Sequence, residues 1–390
     1  MRPNIFLKNL AITISAASLF SCAQLTKEEQ LNNELKSIME KNEAIGLAVA
    51  AVKDGKIIYT NSFGYKDKEN KIELKNEDIF RIASISKSFT ATAIMQMVEQ
   101  GKIDLEGDVS QYIGFPVRNP AYPQIPITIR MLLSHSSSLN DSEGYFKINV
   151  INPDSSATFA KAYNSYEPGT KYDYCNLGYN TLGTILERIS GERFDQYIVN
   201  HILKPIGVYG GYNVEELDST KFVKIYEYQT NGTFLYAPEA YAKRTKEIAT
   251  YKMGFSTPIF SPTGGLKISA QDLAKVMIMH MNLGKIKNPN TPDSIQIIDK
   301  HSAELMQTKI ISPTNEGDAY GFAIRISDQL IDGKTMIGHT GGAYGVFTAM
   351  FWDKDKKIGF ITMTNGCKEN REKHFISLSR QATNAMYTYL

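Results

Sequence analysis

Three observations predict an α+β fold: one antiparallel sheet assembled from both ends of the chain and flanked by helices, with a mostly helical lobe inserted between them. Residues 46–67, GLAVAAVKDGKIIYTNSFGYKD, hold two β-prone runs joined by Lys53-Asp54-Gly55-Lys56, and Asp-Gly between such runs is a strong hairpin signal. Toward the other end, YGFAIRISD, KTMIGHTGG, GVFTAMFWDKD and KKIGFITMTNG are four more β-prone runs separated by short turns. The stretch between, about residues 105–245, changes character. Helical patterns such as ITIRMLLSH and LGYNTLGTILERIS alternate with Pro- and Gly-containing loops, and strand signals are scarce. Layers of secondary structure share one core, so the two strand-rich ends are expected to meet in one sheet. The seam between sheet and lobe is where ligand sites tend to form.

The chain opens on a different kind of signal. Arg2 and Lys8 precede LAITISAASLFSC, an apolar stretch that ends in small residues and is too short to span a bilayer. This is the layout of a secretory leader, expected over residues 1–21. Leu19-Phe20-Ser21-Cys22 resembles a bacterial lipobox, in which Cys22 is lipidated and becomes the new N-terminus. Cleavage after Ala23 fits the small-x-small pattern as well. The expected location is the periplasm or cell envelope, with the lipid anchor as the one membrane contact. Residues 22–34 are expected as a tether, with TKEEQLNNELKSIMEKNEA an amphipathic surface helix running into a main domain over 35–390.

After the hairpin, a helix is expected from Ser84 to Gln100, closed by Gly101. Another, in LKISAQDLAKVMIMHMNLG, has Ser269 as a candidate cap, and REKHFISLSRQATNAMYTYL closes the chain. The 43 Lys and Arg nearly balance 41 Asp and Glu, so no global field draws nucleic acid or an anionic surface. Cys22, Cys175 and Cys367 show no disulfide spacing, and the six histidines are scattered. Neither HExxH, paired CxxC nor a phosphate loop occurs, so no metal or organic cofactor is expected.

In RIASISKSFTATAIMQMVEQG, only Thr90, Thr92 and Gln96 are polar between Phe89 and Val98. That helix is apolar nearly all round and is expected to be buried. Ser84 and Lys87 share one face at i, i+3. Burial lowers the pKa of a lysine and can make it a base near neutral pH, while the helix N-terminus offers N–H groups to developing negative charge. This is the arrangement of an activated serine nucleophile. The four letters S-x-x-K arise by chance about twice in such a chain, and they also fit a Ser84 N-cap with Lys87 in solvent. Two further stretches bear on the choice. In YEPGTKYDYCNLGYNTLG, Tyr174 and Asn176 stand two apart in an extended segment and face one way, toward a cleft or, for the phenol, into packing. In MIGHTGGAYG the glycines let a substrate backbone approach a β-prone run, or else make a plain turn.

RIASISKSFTA, PGTKYDYCNLGYNTLG and IGHTGGAYG, in this order, resemble the penicillin-recognising serine hydrolases, the serine β-lactamase-like superfamily, over about residues 35–370. SPTGGLKISAQDLAK and ITIRMLLSHSSSLN resemble further signatures of it. The Tyr-x-Asn motif is similar to that of class C β-lactamases, D-alanyl-D-alanine carboxypeptidases, D-aminopeptidases and related esterases. The resemblance implies a β-lactamase/transpeptidase-like fold and a cofactor-free serine hydrolase. Ser84 would form an acyl-enzyme, and Lys87 and Tyr174 would share proton transfer. Asn176 would hold the substrate's amide or the Lys87 head group, and His339, Thr340 and Gly341 would line the substrate. The backbone N–H groups of Ser84 and Gly342 would form the oxyanion hole. Implied substrates are D-amino-acid peptides, peptidoglycan-derived fragments, or small esters and amides. A physiological β-lactamase and a non-catalytic binder of peptidoglycan fragments or penicillin are the alternatives.

This chain departs from the family pattern in three places. His339 stands where β-lactamases usually have the lysine of Lys-Thr-Gly. An ordinary histidine pKa of ~6.5 would leave it partly charged near neutrality, which weighs against efficient β-lactam hydrolysis. Cys175, at a place often held by a small residue, reads as packing. Ser138 replaces a glycine common after the His-x-Ser run, with no role attached.

Overall fold

Strands β1 (Gly46–Lys53) and β2 (Lys56–Asp67) form the expected hairpin in the computed structural model, which describes residues 25–312 and 318–390. Asp54 and Gly55 both take positive φ, 50° and 71°, as a two-residue turn matched to strand twist requires. Short β3 (Ile72–Glu73) continues from β2. A small separate sheet joins β4 (Phe80–Arg81), β5 (Gly210–Gly211) and β6 (Lys267–Ile268), with β6 in the middle. Toward the C-terminus come β7 (Ala319–Tyr320), β8 (Arg325–Ile331), β9 (Lys334–Ala343), β10 (Val346–Asp353) and β11 (Ile358–Thr364). The main sheet has eight strands in the order β7-β8-β9-β10-β11-β1-β2-β3. The two ends of the chain meet at β1 and β11, which are antiparallel with Leu47 opposite Thr364.

Helices cover both faces of that sheet, which is why GLAVAAV reads as a continuous apolar run rather than an alternation. Ala48, Ala50 and Val52 face one core, shared with α2 (Ser86–Glu99) and α4 (Ala270–Met281); Leu47, Val49 and Ala51 face the other, under α1 (Lys27–Lys41) and α5 (Ser377–Tyr389). The insert between the strand-rich ends is largely helical and carries α3 (Asn176–Ser190). It also holds a small hairpin, Tyr226–Tyr228 with Phe234–Tyr236, that its patterning did not reveal.

Three expectations change. Thr26 and Glu29 close a capping box on α1, and Leu31 and Leu35 are buried against the sheet. Residues 27–34 therefore belong to the folded body rather than to the expected 22–34 tether. The last helix begins at Ser377 rather than near Arg371, because Lys373 and His374 at φ 49° and 66° turn Arg371–Glu372 back onto Phe375–Ile376. Ser84 is not in α2: Ala83–Ile85 is a single 3-10 turn and the helix begins at Ser86. Ser269 does cap α4, its hydroxyl accepting the Asp272 N–H at 3.2 Å. The leader, with Cys22 and Ala23, lies outside the described residues. Among the described residues no helix is long and apolar enough to cross a membrane.

Candidate active site

Ser84 sits on the turn that links β4 to α2. Ala83 before it has φ of 47°, a left-handed value that costs a residue with a Cβ roughly 1–2 kcal/mol and is typical of strain held at functional sites. Strand β9 and its neighbour β10 pin this turn. Thr348 Oγ1 donates to the Ile82 carbonyl at 2.9 Å, and a Cβ on Gly341 would lie 2.2 Å from that oxygen and 3.1 Å from Ser84 N. The close approach of the serine turn therefore requires glycine at 341, a demand separate from the substrate-lining role expected of it. Gly342 and Thr340 line the cleft beside Ser84.

Lys87 is fully buried. Its Nζ donates to Ser84 Oγ at 3.1 Å, Asn176 Oδ1 at 2.9 Å and the Thr263 carbonyl at 3.0 Å, and it lies 4.6 Å from the centre of the Tyr174 ring. Burial pushes its pKa from the ordinary 10.5 down to about 7, with the negative charge of Asp141 opposing the fall. Burial raises the Tyr174 phenol well above its ordinary range, with nearby Ser84 opposing the rise.

Asn176 opens α3, and protein groups already engage its side chain. Oδ1 accepts from Lys87 and from Thr263 Oγ1 at 2.7 Å, and Nδ2 donates to Asp141 Oδ2 at 2.8 Å. Of its two anticipated roles, holding the Lys87 head group fits this geometry. Sequence reasoning did not pick out Asp141. Its carboxylate also accepts the backbone N–H groups of Asn176 and Leu177 at 3.0 and 2.9 Å and the Cys175 thiol at 3.4 Å, capping α3 from outside the helix. Burial raises the Cys175 thiol well above its ordinary range, in keeping with packing. His135 was also missed as a support. Its Nδ1 accepts the Cys175 N–H at 3.1 Å and its ring lies 4.3 Å from that of Tyr174.

The cleft in front of Ser84 encloses about 280 Å³. His339 Nδ1 is 2.5 Å from the Thr340 carbonyl, which can only accept, so Nδ1 donates there; Nε2 then accepts from the Tyr320 hydroxyl at 2.7 Å. Burial, helped by the positive charges of Lys87 and Arg325, pushes the ring to about 3. His339 is thus neutral at pH 7, where the sequence suggested partial charge. The guanidinium lining the cleft is Arg325, ion-paired with buried Asp318. Neither had a motif to mark it.

The family profile described as Beta-lactamase matches residues 31–383. The chain belongs to the beta-lactamase family. It is 22% identical to Protein flp of Staphylococcus aureus (strain N315) over 371 residues, 92% of this chain and 67% of that one. Among solved structures it is similar to the octameric penicillin-binding protein homologue from Pyrococcus abyssi, with a TM-score of 0.71 and 25% identity, covering 92% of this chain and 77% of that one. It shares its fold with the D-amino acid amidase from Ochrobactrum anthropi SV3, with a TM-score of 0.69 and 19% identity over 92% and 99% of the two chains. In this beta-lactamase-family chain, Ser84, Lys87, Tyr174, Asn176, His339, Thr340 and Gly342 converge on one cleft or its wall, and Gly341 stands behind the serine turn. Among the described residues no group of three or more His, Cys, Asp and Glu side chains is arranged to hold a metal ion.

Proposed function

We propose that the protein is an exported serine hydrolase that cleaves small esters and amides, D-amino-acid derivatives among them, through an acyl-enzyme on Ser84. The observation that carries this reading is the 3.1 Å contact between Ser84 Oγ and a buried Lys87 whose pKa is pushed down to about 7. A base poised near the working pH combines the right protonation state with useful basicity. Neutral Lys87 takes the Ser84 proton as Oγ bonds to the substrate carbonyl carbon. The carbonyl oxygen takes up negative charge against the N–H groups of Ser84 and Gly342. Collapse of the tetrahedral species breaks the bond to the leaving group, which receives a proton from Tyr174, and Lys87 returns one to Tyr174. Water then attacks the acyl carbon by the same steps, releasing the acid and restoring Ser84. Tyr174, kept protonated by burial, is the relay in this scheme and Lys87 the initiating base. Asn176 and Asp141 are positioning residues for Lys87.

Two features support uncharged leaving groups over β-lactams or peptides ending in a carboxylate. His339 is neutral, and Asp318 compensates Arg325.

Intact mass followed over time tests the scheme. Wild type and Ser84→Ala would be mixed with a D-amino-acid p-nitroanilide, a p-nitrophenyl ester and a chromogenic cephalosporin. A transient acyl adduct that clears with product release, and is lost in Ser84→Ala, is expected for the first two. Turnover surviving in Ser84→Ala would overturn the mechanism. Fast, Ser84-dependent cephalosporin turnover would make a β-lactamase of it, and no adduct with any substrate would make it a binder.

We also propose export with lipid attachment at Cys22, on the sequence of residues 1–23 alone. Incorporation of an alkyne fatty acid into wild type but not Cys22→Ala is expected. Unlabelled protein processed after Ala23 would overturn the anchor.

A further inference from the structure

Strands β4 and β6 are antiparallel, with Arg81 directly opposite Lys267. Directly opposed residues project from the same face, where like charges repel. Both side chains are buried, Arg81 at 9% and Lys267 at 5% exposure. Buried cations are ordinarily paired with carboxylates. Among the described residues neither of these is ion-paired. Arg81 Nε donates to the Gly264 carbonyl at 2.9 Å, and Lys267 Nζ to the Tyr212 carbonyl at 2.8 Å. The terminal amino groups of Arg81 make no hydrogen bond within the described residues. Two cations thus face each other across a strand pair with donors to spare.

Those donors open on a small pocket. Arg244 lines it as a third cation, itself paired with Glu247, and the Tyr344 ring lies over the Arg81 guanidinium at 5.1 Å. Its acidic lining residue is Glu239, an exposed side chain. The enclosed space is about 30 Å³, enough for a group the size of one or two waters. An anion of that size between Arg81 and Lys267 turns a repulsive pair into a bridged one. Burial and the neighbouring guanidiniums push the Lys267 pKa well below its ordinary range, and an anion beside the ammonium opposes that fall.

We propose that this pocket, built on the opposed Arg81 and Lys267 with Arg244, binds a compact monoanion of halide or carboxylate-headgroup size. It shares no lining residue with the Ser84 cleft, yet one short segment joins the two. Gly264, which accepts from Arg81, directly follows Thr263, whose carbonyl holds Lys87. The inference does not depend on Ser84 being a nucleophile.

The test is thermal unfolding of the full mature chain at constant ionic strength, with chloride or acetate replacing the bulky sulfonate MES. A saturable rise in Tm is expected in wild type, because a ligand that binds only the folded state stabilises it by mass action. Lys267→Met removes the opposed charge, so its Tm in MES should exceed that of wild type and the saturable rise should vanish. A rise of equal size in both proteins, or none in wild type, overturns the proposal. If Lys267→Met does not fold, Arg244→Gln carries the test: its half-saturating anion concentration should increase about tenfold, and an unchanged value overturns the site. Crystals grown in bromide should show an anomalous peak between Arg81 and Lys267, whereas bromide found only elsewhere counts against it. Succinyl and butyryl p-nitrophenyl esters separate the sources of the anion. Acetate inhibition confined to the succinyl ester and lost in Lys267→Met assigns the pocket to a ligand's carboxylate; equal behaviour of the two esters assigns it to a free ion.

Discussion

The pocket around Lys87 and the pocket around Lys267 bury the same group among opposite neighbours. Lys87 is met by a hydroxyl, an amide oxygen and a carbonyl, with the Asp141 carboxylate one residue behind Asn176. Lys267 is met by one carbonyl and faces Arg81 across a strand pair. Desolvation depresses both ammonium groups, but charge neighbours act with opposite sign: Asp141 raises Lys87, and Arg81 and Arg244 lower Lys267 further. Burial alone therefore does not make a lysine a working base. The acceptors around it decide whether the proton can leave and return near neutral pH.

The largest expected effect would break this contrast if it failed to appear. Lys87→Met and Ser84→Ala are each expected to lower kcat/KM for an uncharged ester such as the butyryl p-nitrophenyl ester by about 10³-fold or more, while Lys267→Met changes it less than about threefold, since that ester carries no anion for the second pocket. Equal losses in Lys87→Met and Lys267→Met would mean that the two pockets are not functionally distinct.

Stability should move the other way at Lys87. Its folded pKa, about 7, lies below the ordinary 10.5, so over that interval the unfolded chain holds a proton that the folded chain sheds. The contribution is therefore full above pH 10.5 and is lost as pH falls toward 7, by about 1.4 kcal/mol per pH unit. Lys87→Met should raise the unfolding free energy at pH 7 by about 2–4 kcal/mol, measured by urea denaturation. A loss of stability there would show that the hydrogen bonds of Lys87 outweigh its desolvation.

A third effect sharpens the role of Asp141. The acid limb of kcat/KM is expected near pH 7, since protonated Lys87 cannot take the Ser84 proton. Asp141→Asn keeps a residue able to cap α3 but removes the negative charge that favours the ammonium. Its acid limb should move to lower pH by less than about one unit, and a move to higher pH would contradict the assigned sign.

The last effect concerns a buried titratable group in neither pocket. His280 stacks on Trp352 at 5.8 Å, and burial pushes its pKa from 6.5 to about 4. The unfolded chain binds the proton first, so this group's contribution is full above pH 6.5 and is lost as pH falls toward 4. His280→Phe leaves the Gln307 hydrogen bond to the residue 280 carbonyl in place. It should flatten the loss of stability between those pH values by about 1.4 kcal/mol per unit, read from urea midpoints. An unchanged slope would place the acid sensitivity elsewhere, for example at His339.

Much of this was legible before the structure, for local reasons. Asp54-Gly55 forces a hairpin because both residues accept positive φ, and an all-apolar α2 has to be buried. Ser84 and Lys87 were found because they stand only three positions apart. Other features were not legible. Asp141 reaches Asn176 from 35 positions upstream, and Thr263 reaches Lys87 from 176 positions downstream, so no spacing announces either. The Arg325–Asp318 pair had no motif. Ser138 was given no role, yet its φ of 63° explains why glycine is the common residue at such a place, and its Oγ accepts from Asn119 Nδ2 at 2.9 Å.

The sequence by itself determined the sheet built from both chain ends, the helical insert, and the residues that converge on the cleft, because periodicity, turn chemistry and short motifs act over a few neighbours. Only the tertiary structure decided the protonation states. Lys87 near 7, His339 neutral and Lys267 lowered further by Arg81 and Arg244 each follow from desolvation and from charges brought in from distant parts of the chain. It also decided that Gly341 serves the serine turn and that Asn176 holds the lysine. Coulomb interactions and steric contact depend on separation in space, and separation along the chain does not report it.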